Sequence, residues 1–207
     1  MDSENRNLGR QVFGKSENIG NILDLESINS LICEWVPNEK LRLHIYQVGN
    51  LMKKWAQKLL LPEVDVKKWE MAGLLHDADW EKWPELHCRK IVEYLEEKNI
   101  DPEVIHAIAS HSPSFFGVEP VSDMDKMIYA FDELSGFVHA CSLVRPEGYT
   151  GMKVSSVMKK LKDKSFAAQV SREEIEDSSK GCSVGLDELI SFVIENQANV
   201  TLPDTQK

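Results

Sequence analysis

The sequence predicts an all-α protein built as a single domain. Apolar residues recur at three- and four-residue spacing from about residue 25 onward, helix start and stop signals separate these runs, and no segment alternates apolar and polar residues as a strand would. A chain of 207 residues has the length of one domain with a full core. Residues 1–20 are polar without periodicity, so we expect a flexible N-terminal leader before a helical domain over residues 21–207.

The first helices follow from apolar stripes and from the residues that bound them. A stripe from Leu25 to Trp35 predicts the first helix, because its members share one helical face. Pro37-Asn38 ends that helix and caps a second, which carries His44 in its stripe and stops before Pro62. The remaining predicted elements of this half are a third helix from Asp65 through Asp77, a loop over residues 78–84 and a fourth helix over about residues 85–98.

The second half continues the helical pattern. Asp101-Pro102 is a strong start signal, an N-cap followed by Pro at the first helical position, for a short helix ending near His111. After a loop over residues 112–121, Asp123 is expected to cap a long helix to about Val144. The last predicted helices cover residues 151–163, 171–180 and 186–198. We find no internal repeat and no low-complexity tract.

Composition excludes several classes of function. The net charge of -10 opposes the attraction to phosphate backbones on which nucleic-acid binding depends. No stretch approaches the ~18 apolar residues of a membrane span, and no signal-peptide core follows the N-terminus. We therefore expect no nucleic-acid partner, no membrane and a cytoplasmic location. The cysteines are widely spaced and read as reduced thiols rather than a disulfide framework; they are Cys33, Cys88, Cys141 and Cys182.

An ionisable pair, His76-Asp77, ends the apolar run of the third helix. Burying such groups is costly, and imidazole beside carboxylate suits a divalent transition metal. Helical spacing also directs His44, His87, His111 and Asp132 towards the core, since each shares a stripe with apolar residues.

Two further histidines are set apart from this group. His106 is turned ~200° from the stripe of Val104, so we expect it to be solvated. His139 faces the same way as Asp132 but lies ~10 Å further along the helix, and it ranks below the others.

Simpler interpretations stay open at this point. A single inward histidine is more often a hydrogen-bonded core residue than a ligand, and Asp77 and Asp132 could cap helices or pair with a buried Arg. The group as a whole favours a metal, because each unpaired buried polar side chain would cost roughly 1–3 kcal/mol and one cation resolves them together.

The order His44, His76-Asp77, Asp132 resembles that of the HD superfamily of metal-dependent phosphohydrolases, an all-helical fold named for its His-Asp pair. Several short sequence motifs are also similar to those of small bacterial HD-domain hydrolases, and the similarity covers about residues 27–195. These motifs are AGLLHD (72–77), PELH (84–87), IASH (108–111), AFDELSG (130–136), LVRP (143–146) and FAA (166–168). The resemblance implies an HD-type helical bundle, with His87 and His111 where dinuclear members carry second-metal histidines.

The resemblance also implies a ligand set and a reaction. His44, His76, Asp77 and Asp132 would hold the first metal, and Asp77 would bridge to a second held by His87 and His111. The ions would be Fe, Mn, Co, Ni or Zn, one or two in number. His76 and Asp77 would be catalytic, and a metal-activated hydroxide would attack the phosphoester of a nucleotide or another small phosphorylated metabolite, as a phosphomonoesterase or phosphodiesterase.

Residues outside the ligand set are predicted to support it. Arg145 and Lys164 are expected to bind the substrate phosphate, although the lysine-rich segment around Lys164 could equally be a solvated helix face. Asp79, Glu81 and Glu85 are candidates to orient the histidine ligands, or are solvated loop charges. The aromatic residues next to the ligands, Trp80, Trp83, Phe115 and Phe116, could stack on a base or close the core.

Two other functions remain compatible with this sequence. Dinuclear HD proteins include mixed-valent di-iron oxygenases, which share the set of four His and two Asp. A non-catalytic helical sensory or binding module is a further alternative, although here every ligand position is filled. Symmetric dimers are the commonest assembly of soluble proteins, so a homodimer is left open.

Overall fold

A computed structural model describes residues 20–203, and the predicted all-α fold class is confirmed. Within that part the regular structure consists of α-helices, one 3₁₀ turn and a single isolated bridge between Asn21 and Ile100. The helices are α1 (Leu25–Trp35), α2 (Glu39–Lys58), α3 (Glu63–Leu75), α4 (Arg89–Glu97), α5 (Pro102–Ser110), α6 (Pro113–Phe116), α7 (Asp123–Leu143), α8 (Val154–Leu161), α9 (Arg172–Gly181) and α10 (Leu186–Gln197). The leader predicted over residues 1–20 lies, apart from Gly20, outside the described residues.

Several predicted start signals act as expected. Asn38 caps α2, its side chain accepting from the main-chain N–H of Lys40 at 2.9 Å, and Asp101 caps α5 through the N–H of Glu103. Two assignments were wrong. Asp65 lies inside the first turn of α3, which begins directly after Pro62 and ends at Leu75. The cap of α7 is Ser122, because Ser122 and Asp125 form a reciprocal capping box.

The fourth predicted helix, over residues 85–98, is interrupted. A 3₁₀ turn (Pro84–Leu86) comes first, and α4 starts only after Cys88, whose φ of 63° is left-handed. A helix cannot pass through that conformation, so His87 is held in a bend and is free to face inward. The loop predicted over residues 112–121 likewise contains α6, which Gly117 ends with φ 80°.

Two glycines let α2 and α3 approach backbone to backbone. A Cβ added at Gly73 would lie 2.8 Å from the Cα of Gly49 and 2.9 Å from the main-chain oxygen of Val48. Side chains at these positions would force the helices apart. The contact brings His44, before Gly49, close to His76, after Gly73, with ring centroids 5.4 Å apart.

The long helix α7 forms the axis of the core. It packs against α2, α5, α9 and α10, and its buried face includes Phe131, Leu134 and Phe137. Burial of side chains of this size stabilises the fold by about 1.5–3 kcal/mol each. Asp132 is thereby fixed beside α2 and α3. Among the described helices, none has the length and apolarity needed to cross a membrane.

Candidate metal centre

Four predicted ligands meet where α2, the end of α3 and α7 come together. The Nε2 atoms of His44 and His76 lie 3.0 and 3.4 Å from Oδ1 of Asp132. They also lie 3.7 and 3.6 Å from Oδ2 of Asp77. The four side chains thus surround one point with two ring nitrogens and two carboxylate oxygens, a group able to hold a metal ion.

The other oxygen of Asp77 faces a second group. Its Oδ1 lies 3.6 Å from Nε2 of His87 and 3.5 Å from Nε2 of His111, and these two nitrogens are 3.2 Å apart. His87 comes from the bend before α4 and His111 from the end of α5. One carboxylate therefore connects two sets of donors, as the dinuclear interpretation requires.

Each histidine ring is oriented through its other nitrogen, Nδ1. A main-chain carbonyl oxygen only accepts, so in the neutral rings of His76 and His111 the proton is on Nδ1 and Nε2 presents a lone pair. The hydroxyl of Ser135 donates to the main-chain oxygen of Asp132 and can accept from Nδ1 of His44. The Nδ1 contacts are His76 to Gly73 O at 2.8 Å, His111 to Ile108 O at 2.6 Å, His87 to Asp79 Oδ1 at 2.9 Å and His44 to Ser135 Oγ at 3.2 Å.

These donors fit divalent cations. The Nε2 atom of His76 is buried, with a side chain of 0% exposure, and has no hydrogen-bond partner among the described residues. When both rings are neutral, the lone pairs of His87 and His111 face each other at 3.2 Å, which is unfavourable unless a proton or a metal cation lies between them. Ligands about 2.1 Å from an ion at tetrahedral or octahedral angles are roughly 3.0–3.4 Å apart, close to the spacings observed here.

The electrostatics of the site also call for positive charge. Burial opposes ionisation of Asp77, yet the neighbouring His76 and His111 hold the pKa of its carboxyl far below the usual range. Burial alone would lower the pKa of His87, but the hydrogen bond to Asp79 outweighs it and raises the pKa to about 9. For His111 the hydrogen bond to Asp77 likewise overcomes burial and raises the pKa to about 9. A cation placed here meets a field that already favours it.

Cys88 lies beside His87 and His111, and these three residues form a second group that could hold a metal ion. Its Sγ is 3.9 Å from Nδ1 of His111, the nitrogen engaged by Ile108. Burial raises the pKa of the Cys88 thiol to about 11, whereas metal binding needs the thiolate. Asp77 Oδ1 lies within 3.6 Å of Nε2 of both histidines, on the side that faces the first donor set.

The three candidates for orienting ligands have different positions. Asp79 is fully buried and contacts His87. Glu81 instead accepts from the main-chain N–H of Asn38 at the start of α2, and Glu85 is exposed. Only Asp79 of the three touches a ligand.

The lower-ranked histidines lie outside the centre. Nδ1 of His139 is 3.0 Å from the hydroxyl of Tyr149. The expectation that His106 is solvated was wrong. Its Nδ1 is 2.7 Å from Oδ2 of Asp125, and its side chain is only 16% exposed. The rotation away from Val104 points it at the start of α7, which packs there and which the helical wheel of α5 does not reveal.

A cavity of about 310 Å³ opens onto the centre. Glu133 and Glu174 line it and were not predicted. Glu133 directly follows Asp132 and its Oε2 accepts from the N–H of Ser171 at 2.9 Å; burial, then the charge of Asp132, raises its pKa to about 7. Glu174 lies far along the chain and nothing in the sequence signals it. The described residues that line the cavity are His44, Asp77, Trp80, His87, His111, Ser112, Asp132, Glu133, Gly136, Gln169, Val170 and Glu174.

The structure does not bring the two predicted phosphate ligands to this cavity. Arg145 donates to the main-chain oxygens of Gly148 and Thr150, at 2.9 and 3.0 Å. Lys164 is exposed, and neither residue lines the cavity. Contact of these two side chains with substrate therefore stays a prediction.

Comparison with known proteins places the centre within a family. Residues 42–136 match the family model of the HD domain, and this range contains all six residues of the centre. No curated protein and no solved structure matches the chain. The predicted resemblance is thus confirmed over this range, which matches the HD domain, and most HD domains are metal-dependent hydrolases.

Proposed function

We propose that the protein is a metal-dependent phosphohydrolase that cleaves the phosphoester of a small phosphorylated metabolite. One observation carries this proposal. The two oxygens of Asp77 face two separate sets of histidine nitrogens, at 3.5–3.7 Å. A shared carboxylate between two donor sets is the arrangement that two-ion phosphoester hydrolysis uses.

The residues divide between the two ions. His44, His76 and Asp132 would hold one, His87 and His111 the other, and Asp77 both. Divalent cations supply Lewis acidity, which lowers the pKa of water and neutralises charge that develops on a phosphoryl group. The protein contributes fixed geometry, since each histidine is anchored through Nδ1 before any ion arrives.

Charge balance supports a phosphate ligand. Two divalent cations would exceed the charge of their two carboxylate ligands, Asp77 and Asp132, so the ions would present positive charge to a phosphomonoester. Among the described residues that line the cavity, none is Lys or Arg. The ions themselves would therefore provide the positive charge that binds the phosphoryl group.

Aromatic rings limit water at the second donor set. Trp80 and Phe115 lie edge-on to His87, with ring centroids 4.8 and 5.6 Å away. These contacts cover the imidazole outside its ligand face. A drier site strengthens every electrostatic interaction with a bound phosphate.

We also propose that the protein is located in the cytoplasm. The cysteines among the described residues are free thiols, which supports this location.

The decisive experiment combines metal analysis with turnover. Purified protein should contain Fe, Mn, Co, Ni or Zn and should release phosphate from a generic ester such as p-nitrophenyl phosphate. Asp77→Asn should lower both bound metal and turnover to background while the helical circular dichroism persists. Asp177→Asn, an exposed carboxylate on α9, is the matched control and should change neither.

Two results would overturn the proposal. Metal-loaded protein that is inert across a broad panel of phosphate esters would remove the hydrolase. Iron-dependent oxygen uptake without phosphate release would replace it by the oxygenase alternative.

A further inference from the structure

The outer wall of the cavity is built by chain that follows the matched domain. Gln169, Val170 and Glu174 line the cavity, whereas the match to the HD domain ends at residue 136. Arg172 holds this segment in shape, since its guanidinium donates to the main-chain oxygens of Ala167 and Val170 at 2.6 and 2.7 Å. This part of the lining thus comes from a segment that follows the matched domain in the chain.

That wall carries negative charge beyond the ion ligands. The carboxylate of Glu133 is partly satisfied, because it accepts from the N–H of Ser171. The Glu174 carboxylate has no hydrogen bond or ion pair with the residues that the structure describes. Burial, and after it the negative charge of Asp132, raises the pKa of Glu174. The Glu174 carboxyl is therefore close enough to the metal centre for the charge of Asp132 to act on it. Glu174 is therefore a charged group at the cavity with no protein partner of its own.

Two other features point to the same ligand chemistry. Trp80 lines the cavity with 45% of its surface exposed, and an indole face attracts cations. The ligands Asp77, Asp132 and His87 line the same cavity, so the ions and the phosphoryl group belong on their side of it. Trp80 contacts the ligand His87, with ring centroids 4.8 Å apart, and the charge of Asp132 acts on the Glu174 carboxyl. Both side chains thus border the cavity beside the ligands, where the ester's alcohol would lie.

The size of the cavity restricts the alcohol. A volume of about 310 Å³ is at the lower limit of small-molecule sites, which are roughly 300–1,000 Å³. A polyanionic substrate would bring further negative charge against Glu174, with no described Lys or Arg in the lining to offset it.

We propose that this site, if it acts as the phosphohydrolase above, selects small phosphoesters whose alcohol carries an ammonium group, and that Glu174 is the residue that determines this selectivity. The phosphoryl group binds at the ions, and the ammonium group binds at the Glu174 carboxylate, within the cavity that Trp80 also lines. Both ends of such a substrate meet opposite charge, whereas an ester with an anionic alcohol meets repulsion at Glu174.

Three substrates of nearly equal size test the proposal: 2-aminoethyl phosphate, 2-hydroxyethyl phosphate and carboxymethyl phosphate. The metal-loaded enzyme should show kcat/KM falling in that order. Glu174→Gln should reduce the preference for the amine over the carboxylate by about 2- to 5-fold, the effect expected of one partly solvated ion pair. Glu174→Lys should reverse the preference. Because each comparison is a ratio within one variant, partial loss of folded protein does not alter it.

Glu173→Gln is the matched control. It removes the same charge one residue earlier on α9, at an exposed position that does not line the cavity, and should leave the ratio unchanged. Equal kcat/KM for the three esters, or an unchanged ratio in both Glu174 variants, would overturn this inference and leave the hydrolase in place. If the three esters and p-nitrophenyl phosphate are all inert, the proposed function itself fails.

Discussion

Three hydrogen-bond donors converge on the carboxylate of Asp79, which has no solvent exposure. Its Oδ1 accepts from Nδ1 of His87 at 2.9 Å and from the N–H of Cys88 at 3.3 Å, and its Oδ2 accepts from the N–H of Ile91 at 3.0 Å. One side chain thus satisfies the first turn of α4 and fixes the tautomer of a ligand. Asp79 is a positioning residue, since it acts on the centre only through His87.

Replacing Asp79 should therefore weaken one ion more than the other. Asp79→Asn keeps the shape of the side chain but removes its negative charge. The new amide NH₂ group, a donor, would face the donor of either His87 or Ile91. We expect the affinity for the metal ion held by His87 and His111 to fall about 10- to 100-fold, while the affinity for the ion held by His44 is unchanged. Metal titration that resolves two stoichiometric steps measures this difference.

Glu85→Gln provides the comparison for Asp79→Asn, because Glu85 is an exposed acid in the same connection. It should leave both titration steps unchanged. Equal weakening of both ions in Asp79→Asn would show that Asp79 stabilises the fold in general and does not position His87.

At the scale of elements, contact between α2 and α3 determines the spacing of the first donor set. Gly49 and Gly73 face each other directly, so the two backbones and not their side chains define the distance. The sequence predicted both helices, and periodicity predicted that His44 faces inward, whereas His76 was singled out by its pairing with Asp77 at the end of an apolar run. It could not predict this close approach, because a glycine in an apolar stripe does not reveal what lies opposite it.

Gly73→Ala should destabilise the protein, contrary to the usual effect of this change. Within a helix, Gly to Ala ordinarily stabilises by roughly 0.5–1 kcal/mol. Here the new Cβ would lie 2.8–2.9 Å from main-chain atoms of Gly49 and Val48. Since backbone cannot move aside cheaply, we expect a loss of about 1–3 kcal/mol in the free energy of unfolding, measured by urea denaturation.

Gly136→Ala on α7 is the matched control, because its Cβ would meet nothing within 4 Å. It should raise the free energy of unfolding. If both variants are stabilised, α2 and α3 are further apart in solution than the contact described here requires.

At the scale of the molecule, the predictable and unpredictable parts of the centre have different physical origins. His44 and Asp132 were found because an ionisable residue within an apolar stripe must be buried. Glu174 could not be found, since it lies on a mostly polar helix and reaches the cavity only through the packing of α9 on α7. The prediction of one uninterrupted helix over residues 85–98 was wrong for a similar reason. The left-handed φ of Cys88 depends on Asp79, a contact between separate segments.

Assembly of the centre from five helical segments makes metal binding dependent on the fold. An unfolded chain cannot gather donors from α2, α3, the bend before α4, α5 and α7, so ions bind the native state selectively. Occupancy at 100 times the dissociation constant then adds about 2.7 kcal/mol of stability. For a protein of this size, that corresponds to a rise of about 5–10 °C in Tm.

Calorimetry of chelated and Mn²⁺-loaded protein should show this rise in the wild type and in Asp177→Asn. In Asp77→Asn the rise should be largely lost, because the carboxylate that connects the two donor sets is absent. If Asp77→Asn gains as much in Tm as the wild type, the stabilising ions bind elsewhere, and the six side chains do not form the metal centre.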